Sequence, residues 1–162
     1  MSLSLRTRPW NRAPQQVYSL STTRDGVINM NICTYVTPIT MQPKQFVIGI
    51  YHNTQTYDNL KNTKEGLLQL LGTDQTSLIT PLGKKSGSSY DKHTYLTKYH
   101  DLGFIQTFAY LEHSLAYIHI RIKTWLPESD HDILVAEVIS WKNLRHGTPL
   151  TTTYLKDHKI IR

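Results

Sequence analysis

Two short polar segments contain the residue types that hold a phosphate group. The first is His52-Asn53-Thr54-Gln55-Thr56, and the second is Lys84-Lys85-Ser86-Gly87. Together they offer hydroxyl groups, an imidazole, side-chain amides, two cations and a flexible backbone. Phosphate sites are built from such donors, often at a helix N-terminus. In the alternative interpretation, the threonines are turn and capping residues and the lysines are solvated, and the residue types alone leave both interpretations open.

A third segment, over 29–35, has groups that could border a planar heterocycle. Such a ligand needs hydrogen-bond donors and acceptors at its edge and an apolar surface against its face. The backbone amides and the side-chain amides of Asn29 and Asn31 would supply the edge contacts at a strand end. An ordinary strand edge with asparagine in a tight turn explains the same residues.

The sequence gives little support for protein-based catalysis or for a metal site. Cys33, the only cysteine, lies in a strand-like stretch without a cationic neighbour, which favours a buried, unreactive thiol over a nucleophile. The eight histidines form no HxxxH or HExxH pair, and the Gly-x-Ser-x-Gly, Walker and Gly-x-Gly-x-x-Gly motifs do not occur. The acidic cluster over 128–132 fits an exposed loop better than a divalent metal site, so no metal ligand is predicted.

Length and charge narrow the classes of protein further. The 162 residues suit one compact domain, and 18 Lys and Arg against 12 Asp and Glu give a net charge of +6. This charge favours an anionic partner: a nucleic acid, a membrane surface or a phosphorylated small molecule. The basic residues are scattered, whereas a nucleic-acid surface usually has a denser stripe. No apolar run could span a bilayer and residues 1–10 do not resemble a secretory signal, so we expect a cytoplasmic protein without a membrane partner.

The elements that must position these segments are mostly strands. Apolar runs predict strands over 17–22, 27–35, 46–51, 116–125 and 133–141. Arg24-Asp25-Gly26 predicts a hairpin turn between the first two. One helix is predicted over 56–71, capped by Asn62 or Thr63 and ended by Gly72. A polar loop is predicted over 83–92 and a short helix or turn over 93–102. Many strands with few helices indicate a closed or sandwiched antiparallel sheet.

The strand over 116–125 has the clearest alternation of residue types. Three isoleucines alternate there with three basic residues: Ile118, Ile120 and Ile122 with His119, Arg121 and Lys123. Because successive side chains on a strand point to opposite faces, we expect the isoleucines to face the core and the basic groups to face solvent.

Taken in chain order, these segments resemble the flavin reductase-like family of FMN-binding split-barrel proteins, from about Pro14 to Trp141. Val17-Tyr18-Ser19-Leu20-Ser21-Thr22, with Gly26 and Asn29-Met30-Asn31, is similar to the first hairpin of the family. Thr34-Tyr35-Val36-Thr37-Pro38-Ile39, with Pro43, is similar to the segment that lines the flavin ring. Thr54-Gln55-Thr56 with Asn59 resembles the phosphate-side turn, and Leu82-Gly83-Lys84-Lys85-Ser86-Gly87 with Asp91-Lys92 resembles a later loop at the same pocket. Ser129-Asp130-His131 resembles a Gly-Asp-His signature, from which Ser129 departs because the family commonly has glycine there.

The resemblance implies a mainly β fold: a six-stranded antiparallel Greek-key split β-barrel with short flanking helices. It implies a single domain over 1–162, in which 1–13 is an N-terminal extension. Members of the family form homodimers with FMN near the interface. We therefore expect a homodimer that binds FMN, with FAD as the alternative flavin and NAD(P)H as the reductant.

The resemblance also assigns roles to individual residues. Asn31, Thr34 and Tyr35 would flank the flavin ring and its carbonyl edge, mainly through backbone groups. The ribityl chain and the phosphate would be contacted by His52, Thr54, Thr56, Lys84 and Ser86. The expected set of cofactor-binding residues is completed by Cys33, Asn53, Asn59 and Gly87. His131, the candidate catalytic residue, would lie near the open face of the flavin, and the alternative is a turn histidine satisfied by Asp130.

Three functions remain as hypotheses. The leading one is an NAD(P)H-dependent flavin reductase in which a hydride passes from nicotinamide C4 to flavin N5. A flavin-dependent monooxygenase or another electron acceptor would use the reduced flavin, and no nucleic acid would be involved. The second is a flavoredoxin-like electron carrier or FMN-binding protein without reductase activity. The third, from a different class, is a basic β-barrel that binds nucleic acid.

Overall fold

The computed structural model describes residues 7–162, which contain nine β-strands and three α-helices. The strands are β1 (Tyr18–Arg24), β2 (Val27–Cys33), β3 (Val36–Thr40), β4 (Gln45–Tyr51), β5 (Glu65–Leu70), β6 (Leu102–Ile105), β7 (Phe108–Leu111), β8 (Ala116–Leu126) and β9 (His131–Asn143). The helices are α1 (Gln55–Thr63), α2 (Lys92–Tyr99) and α3 (Thr152–Asp157), with short helical turns at Pro9–Asn11, Thr73–Leu78 and Ile79–Lys84.

The mainly β fold is confirmed. Across residues 7–162, no helix is long and apolar enough to cross a membrane. The first part of the expected extension, 1–6, lies outside the described residues.

Seven strands form one antiparallel sheet in the order β2-β1-β5-β8-β9-β4-β3, and β6 pairs with β7 in a separate hairpin. The two edge strands, β2 and β3, follow each other in the chain with only Thr34 and Tyr35 between them. Because three residue steps span at most ~11 Å, the end of β2 lies close to the start of β3, and the sheet must curl round on itself. The observed sheet thus has seven strands where six were expected.

Two hydrophobic clusters stabilise this curled sheet. The first joins β1, β4, β5, β8 and β9 through residues that include the fully buried Leu20 and Ile48. The second packs β2 against α2 and α3, and it includes Met30, Leu96 and Leu155. Since α2 is held against β2 in this way, the loop that precedes α2 lies over the same edge strand.

The hairpin between β1 and β2 has the predicted turn. Arg24 lies opposite Val27 in the register, which leaves Asp25 and Gly26 as the two turn residues. Their φ angles are 51° and 77°. A type I′ turn requires positive φ at both positions, and Asp-Gly is among its preferred sequences. The strands predicted over 46–51, 116–125 and 133–141 are likewise confirmed as β4, β8 and β9.

The predicted helix over 56–71 is wrong in its second half. α1 ends at Thr63, because Lys64 adopts a left-handed conformation with a φ of 59°, and the following leucines belong to β5. β5 pairs with β1 on one side and β8 on the other. A strand buried on both faces is apolar at consecutive positions, which hydrophobic periodicity cannot distinguish from a buried helix. The cap is Thr54 rather than Asn62 or Thr63. The short helix or turn predicted over 93–102 is a helix, α2, which ends at Tyr99.

His119 does not face the solvent as predicted. Its side chain is buried, and its Nε2 lies 2.9 Å from a carboxylate oxygen of Glu65. Ile118, Ile120 and Ile122 all pack with the same core cluster, so the alternation of faces holds and His119 points to the opposite face of the sheet, which is covered rather than solvated. Phe108 of the β6–β7 hairpin packs near the imidazole, with 5.5 Å between ring centroids. Arg121 and Lys123 are exposed, as expected.

Candidate functional site

A cavity of about 380 Å³, which we call cleft A, opens between β2, the start of α1 and the loop before α2. It is lined by Asn29, Asn31, Ile32, Tyr51, Thr54, Gln55, Thr56, Leu82, Gly83, Lys84, Lys85, Ser86, Gly87 and Lys92. The two polar segments that suggested a phosphate site therefore share one cavity, although they are far apart in the chain. Its volume is at the lower end of the ~300–1,000 Å³ typical of small-molecule sites.

The N-terminal end of α1 forms one wall of cleft A. The Thr54 hydroxyl accepts a hydrogen bond from the backbone N–H of Tyr57 at 3.2 Å and donates one to the carbonyl of Tyr51 at 3.0 Å. Thr54 is thus the helix cap, as the alternative interpretation of the sequence had it. The first N–H groups of a helix lack partners within the helix and carry a positive partial charge. This end of α1 therefore favours an anion in cleft A.

The 83–87 loop forms the opposite wall. Within the described part of the chain, Lys84 Nζ donates one hydrogen bond, to the carbonyl of Ile160 at 3.3 Å, and Ser86 Oγ lies 2.7 Å from Ser88 Oγ. A Cβ atom at Gly83 would lie 3.1 Å from the Ile32 side chain. Glycine at this position lets the loop approach β2 closely, and the remaining Lys84 protons are left for a ligand or for water.

Lys92 adds a buried cation to cleft A that the sequence analysis did not select. The residue is only 5% exposed, and its Nζ donates to the carbonyl of Met30 at 2.9 Å and to that of Leu82 at 2.8 Å. None of the ion pairs within residues 7–162 includes it. Burial lowers the pKa of Lys92 to about 8, so the amine is still mostly protonated at neutral pH. The sequence signal for this residue was the resemblance of Asp91-Lys92 to part of a loop at the pocket of the family.

Asn29 contributes to cleft A a side-chain oxygen to which no group of residues 7–162 donates a hydrogen bond. The residue is 3% exposed, and its Nδ2 donates to Thr56 Oγ1 at 2.9 Å. Its Oδ1 is buried without a hydrogen-bond partner in the described part of the chain. A buried acceptor that remains unpaired costs about 1–3 kcal/mol. A ligand with a donor group in cleft A would remove this cost.

Three rings lie side by side next to cleft A, which only one of them, Tyr51, lines. The His131 ring lies between the rings of Tyr35 and Tyr51, with centroid distances of 5.1 Å and 4.9 Å. Both tyrosines are 56% exposed. His131 Nδ1 also lies 3.0 Å from a carboxylate oxygen of Asp130, and this hydrogen bond lowers the pKa of Asp130. An exposed aromatic surface of this kind could cover one face of a planar ligand.

Thr34 and Tyr35 line a separate groove of about 450 Å³ between the N-terminal segment, β3 and β4. Tyr35 therefore connects this groove, through His131 and Tyr51, with cleft A. The sequence-predicted residues Asn31, Thr54, Thr56, Lys84, Ser86 and Gly87 line cleft A itself.

Asp132, at the start of β9, organises a network beside the site. Its carboxylate accepts hydrogen bonds from Trp125 Nε1, His52 Nε2, the Tyr57 hydroxyl and the backbone N–H of Glu128. These donors, the Trp125 indole foremost, hold the pKa of Asp132 far below its usual range. The predicted exposed acidic loop thus leads into a buried, ionised carboxylate. We expected His52 to contact the phosphate, but it does not line cleft A. Its Nε2 instead lies 2.6 Å from a carboxylate oxygen of Asp132.

The structure places three other predicted residues outside cleft A. Cys33 packs in the core cluster, and burial raises the pKa of its thiol to about 12, so the predicted burial of this cysteine is confirmed. Asn53 has a φ of 57° in the turn before α1. Asn59 is buried, accepts a hydrogen bond from Gln55 Nε2 at 2.8 Å and donates one to Thr22 Oγ1 at 3.0 Å.

Solved structures with the same fold include several proteins that handle flavins. An FMN-binding protein from Thermus thermophilus has a TM-score of 0.74 and 17% identity, over 88% of this chain and 78% of that chain. The NADH:FAD oxidoreductase of Streptomyces globisporus has a TM-score of 0.77 and 14% identity, over 89% and 84%. The flavin reductase of the Pseudomonas putida styrene monooxygenase has a TM-score of 0.74 and 14% identity, over 88% of each chain.

Comparison with curated proteins finds no significant match. The sequence profile described as "Flavin reductase like domain" matches residues 10–158, which is nearly the whole chain. On this match, together with the shared fold, the chain belongs to the flavin reductase-like family.

Proposed function

We propose that cleft A binds the ribityl phosphate of FMN and that the protein is an NAD(P)H-dependent flavin reductase. The observation that carries the proposal is the convergence of the α1 N-terminus and the Lys84–Gly87 loop on one cavity. Hydroxyls of Thr54, Thr56 and Ser86 would contact the ribityl chain and the phosphate, and Lys84 and Lys92 would neutralise the phosphate charge.

The residues of cleft A fit this ligand on chemical grounds. A phosphate dianion would complement the buried Lys92 amine, whose partners in residues 7–162 are uncharged carbonyls. A ribityl hydroxyl would donate to Asn29 Oδ1, a buried acceptor that has no hydrogen-bond partner within residues 7–162. Burial of the Lys92 amine and of Asn29 Oδ1 without such partners costs free energy in the ligand-free protein, and a flavin phosphate ester would remove this cost.

The flavin ring would then lie toward Asn31, Thr34 and Tyr35, beyond Tyr51. His131 would stand at the open face of the ring, where the nicotinamide has to stack. Tyr35 and Tyr51 are more than half exposed, and a second copy of the chain would cover part of this surface. We therefore propose a homodimer, a single domain built on the Greek-key split barrel, and a cytoplasmic location.

The bound flavin would supply the redox chemistry by accepting a hydride from NAD(P)H at N5. The chain itself would hold the phosphate, orient the ring and keep one face open for the nicotinamide. The Streptomyces relative is an NADH:FAD oxidoreductase and the Pseudomonas relative serves a monooxygenase. By analogy, we propose that reduced flavin passes to a flavin-dependent monooxygenase or to another electron acceptor.

The test starts from absorption spectra of the purified protein with and without added FMN, followed by anaerobic stopped-flow mixing with NADH and with NADPH. We expect FMN to bind and its visible band to bleach with at least one nucleotide. Binding without bleaching would identify an electron carrier or flavin-binding protein instead. No FMN binding, together with a salt-dependent shift on single-stranded DNA, would favour the nucleic-acid hypothesis.

A pair of lysine variants tests the location of the phosphate. Lys84→Gln should weaken FMN binding more than riboflavin binding, because riboflavin has no phosphate. Lys98→Gln is the matched control, because Lys98 is an exposed lysine of α2 that does not line cleft A. Equal effects of Lys84→Gln on both ligands would place the phosphate elsewhere.

A further inference from the structure

Most of the net positive charge of the chain lies in two segments that meet on one surface, which we call the basic face. The segments are 84–100 and 152–162, and together they hold seven lysines and arginines against two aspartates. They therefore carry +5 of the net charge of +6. One of the two carboxylates, Asp91, is already engaged, because it accepts two hydrogen bonds from Thr94 in the first turn of α2.

The two segments are joined at the 83–87 loop. Lys84 Nζ donates a hydrogen bond to the carbonyl of Ile160 at 3.3 Å, so Lys159 and Arg162 lie beside this loop. Ile160 also packs against the hydrophobic cluster that holds α2 and α3 on β2. The C-terminal segment, the loop and α2 therefore form one continuous surface.

Three tyrosines connect the loop with the far end of α2 on the basic face. The ring centroids of Tyr90 and Tyr95 are 6.1 Å apart, and those of Tyr95 and Tyr99 are 5.7 Å apart. Lys85 Nζ lies 4.2 Å from the centroid of the Tyr90 ring. Lys98 Nζ lies 5.1 Å from the centroid of the Tyr99 ring. Tyr99 is 63% exposed, so this ring is open to a partner and has cations around it.

Four cations of the basic face are available for contacts with a partner: Lys85, Lys98, Lys159 and Arg162. All four are exposed, and none of the ion pairs within residues 7–162 includes any of them. Carboxylates of a partner could therefore pair with them without breaking an existing ion pair. We leave Lys84 out of this set, because the proposed flavin phosphate would neutralise its charge.

A protein with an acidic surface fits the basic face better than a nucleic acid does. Bases stack on aromatic rings whose faces are open. Here one lysine lies over the Tyr90 ring, another lies over the Tyr99 ring, and Tyr95 packs between the two tyrosines. Tyrosine is enriched at protein interfaces, and complementary charges steer two proteins together.

We propose that the basic face docks an acidic protein that takes up the reduced flavin. Lys84 and Lys85 belong to this face and also line cleft A, so a partner docked there would lie at the opening of the cavity proposed for the flavin phosphate. Such a partner would receive the reduced flavin with little contact with solvent, which limits side reactions of the reduced ring. The docking surface depends on the charges alone, whereas the role of the partner as a flavin acceptor rests on the proposed function.

Fluorescence anisotropy with labelled poly-L-glutamate tests the docking surface without any flavin. We expect binding at low ionic strength that weakens as salt is added. The double variant Lys98→Glu with Lys159→Glu should bind about tenfold more weakly, because two attractive contacts become repulsive. Lys44→Glu with Lys142→Glu is the matched control, since these are exposed lysines outside the two segments, and it should lose less than about twofold.

Two results of this titration would overturn the proposal. Equal losses in the two double variants would show that only the total charge matters. Tighter binding of an oligothymidylate than of poly-L-glutamate with the same number of charges, lost in Tyr99→Ala, would make a nucleic acid the occupant.

Cytochrome c before and after succinylation tests delivery to an acidic acceptor, because succinylation replaces lysine charges with carboxylates on the same haem protein. Each reduced flavin passes one electron to each of two haem irons and releases two protons. The measured quantity is the rate with the succinylated form divided by the rate with the native form, in the presence of FMN and NAD(P)H. We expect this ratio to fall about tenfold in Lys98→Glu with Lys159→Glu, while FMN binding stays unchanged.

The outcomes separate this inference from the proposed function. An unchanged ratio of rates would overturn the docking of the acceptor and leave the proposed function intact. Failure of NAD(P)H to reduce the flavin, with poly-L-glutamate binding as expected, would overturn the proposed function and the role of the partner as a flavin acceptor. The acidic docking surface would then stand by itself.

Discussion

Raising the pH from 7 to 9 should weaken FMN binding about tenfold and leave riboflavin binding unchanged. The reason is the buried amine of Lys92, whose pKa desolvation lowers to about 8. Above that pH the free protein loses the cation that the phosphate would meet in cleft A. Riboflavin carries no phosphate, so it should not respond to this charge.

The size of the loss in FMN affinity follows from the protonation of the phosphate and of Lys92. The phosphate of FMN is already a dianion above pH 7, because the second pKa of such an ester is about 6. A bound dianion would return the pKa of Lys92 toward the ordinary lysine value of ~10.4. Binding above pH 8 must then take up one proton, and the affinity falls about tenfold for each further pH unit.

The assay is a set of fluorescence titrations with FMN and with riboflavin at fixed ionic strength between pH 6.5 and 9. Lys92→Arg, which carries a charge that does not titrate in this range, should flatten the FMN profile. Lys98→Gln is the control and should retain the wild-type profile. A flat FMN profile in the wild-type protein, or a parallel loss of riboflavin binding, would refute the reasoning.

Three further predictions concern the network beside the site, the core and the open face of the flavin. Asp132→Asn should lower the melting temperature at pH 7, because four donors lose an ionised acceptor. Since the pKa of Asp132 is depressed in the folded protein, the wild-type advantage should shrink as the pH falls below about 4 in a series of thermal melts. Leu68→Ala should cost about 2–5 kcal/mol of unfolding free energy in urea titrations, because Leu68 is fully buried, and a cost within error of zero would contradict the assigned core. His131→Gln should slow flavin reduction by NAD(P)H in stopped-flow traces by a larger factor than it weakens FMN binding, and equal factors would give His131 no role at the nicotinamide.

Local patterns predicted β1, β2, β4, β8 and β9 but missed β3, β5, β6 and β7. The hairpin between β1 and β2 depends on its two turn residues, Asp25 and Gly26, and these can be recognised from the sequence alone. The leucines of β5 became a strand only because β1 and β8 flank them, and these partners come from distant parts of the chain. The burial of His119 was missed for a similar reason, since Phe108 of the β6–β7 hairpin and the distant Glu65 cover the face to which its side chain points.

The sequence predicted the polar segments of the candidate site but not the buried positive charge of Lys92. Thr54, Thr56, Lys84 and Ser86 were selected because hydroxyls and lysines in loops are the usual phosphate contacts, and all four line cleft A. Asp91-Lys92 resembled part of a pocket loop of the family, but nothing in the sequence showed that the Lys92 amine is buried. Its burial depends on the packing of α2 against β2, which no local pattern encodes.

The packing of α2 against β2 also explains why a change of pH tests the site better than substitution of Lys92 by an apolar residue does. β2 is an edge strand, and exposed strand edges invite pairing with other chains unless they are covered. Two consecutive residues of α2 cover this edge: Lys92 donates to the carbonyl of Met30, and His93 accepts from the N–H of Ile28. An apolar residue at 92 would remove the cation and uncover the edge together, so weaker FMN binding would have two causes. Raising the pH removes only the charge, because a neutral amine still donates hydrogen bonds to both carbonyls.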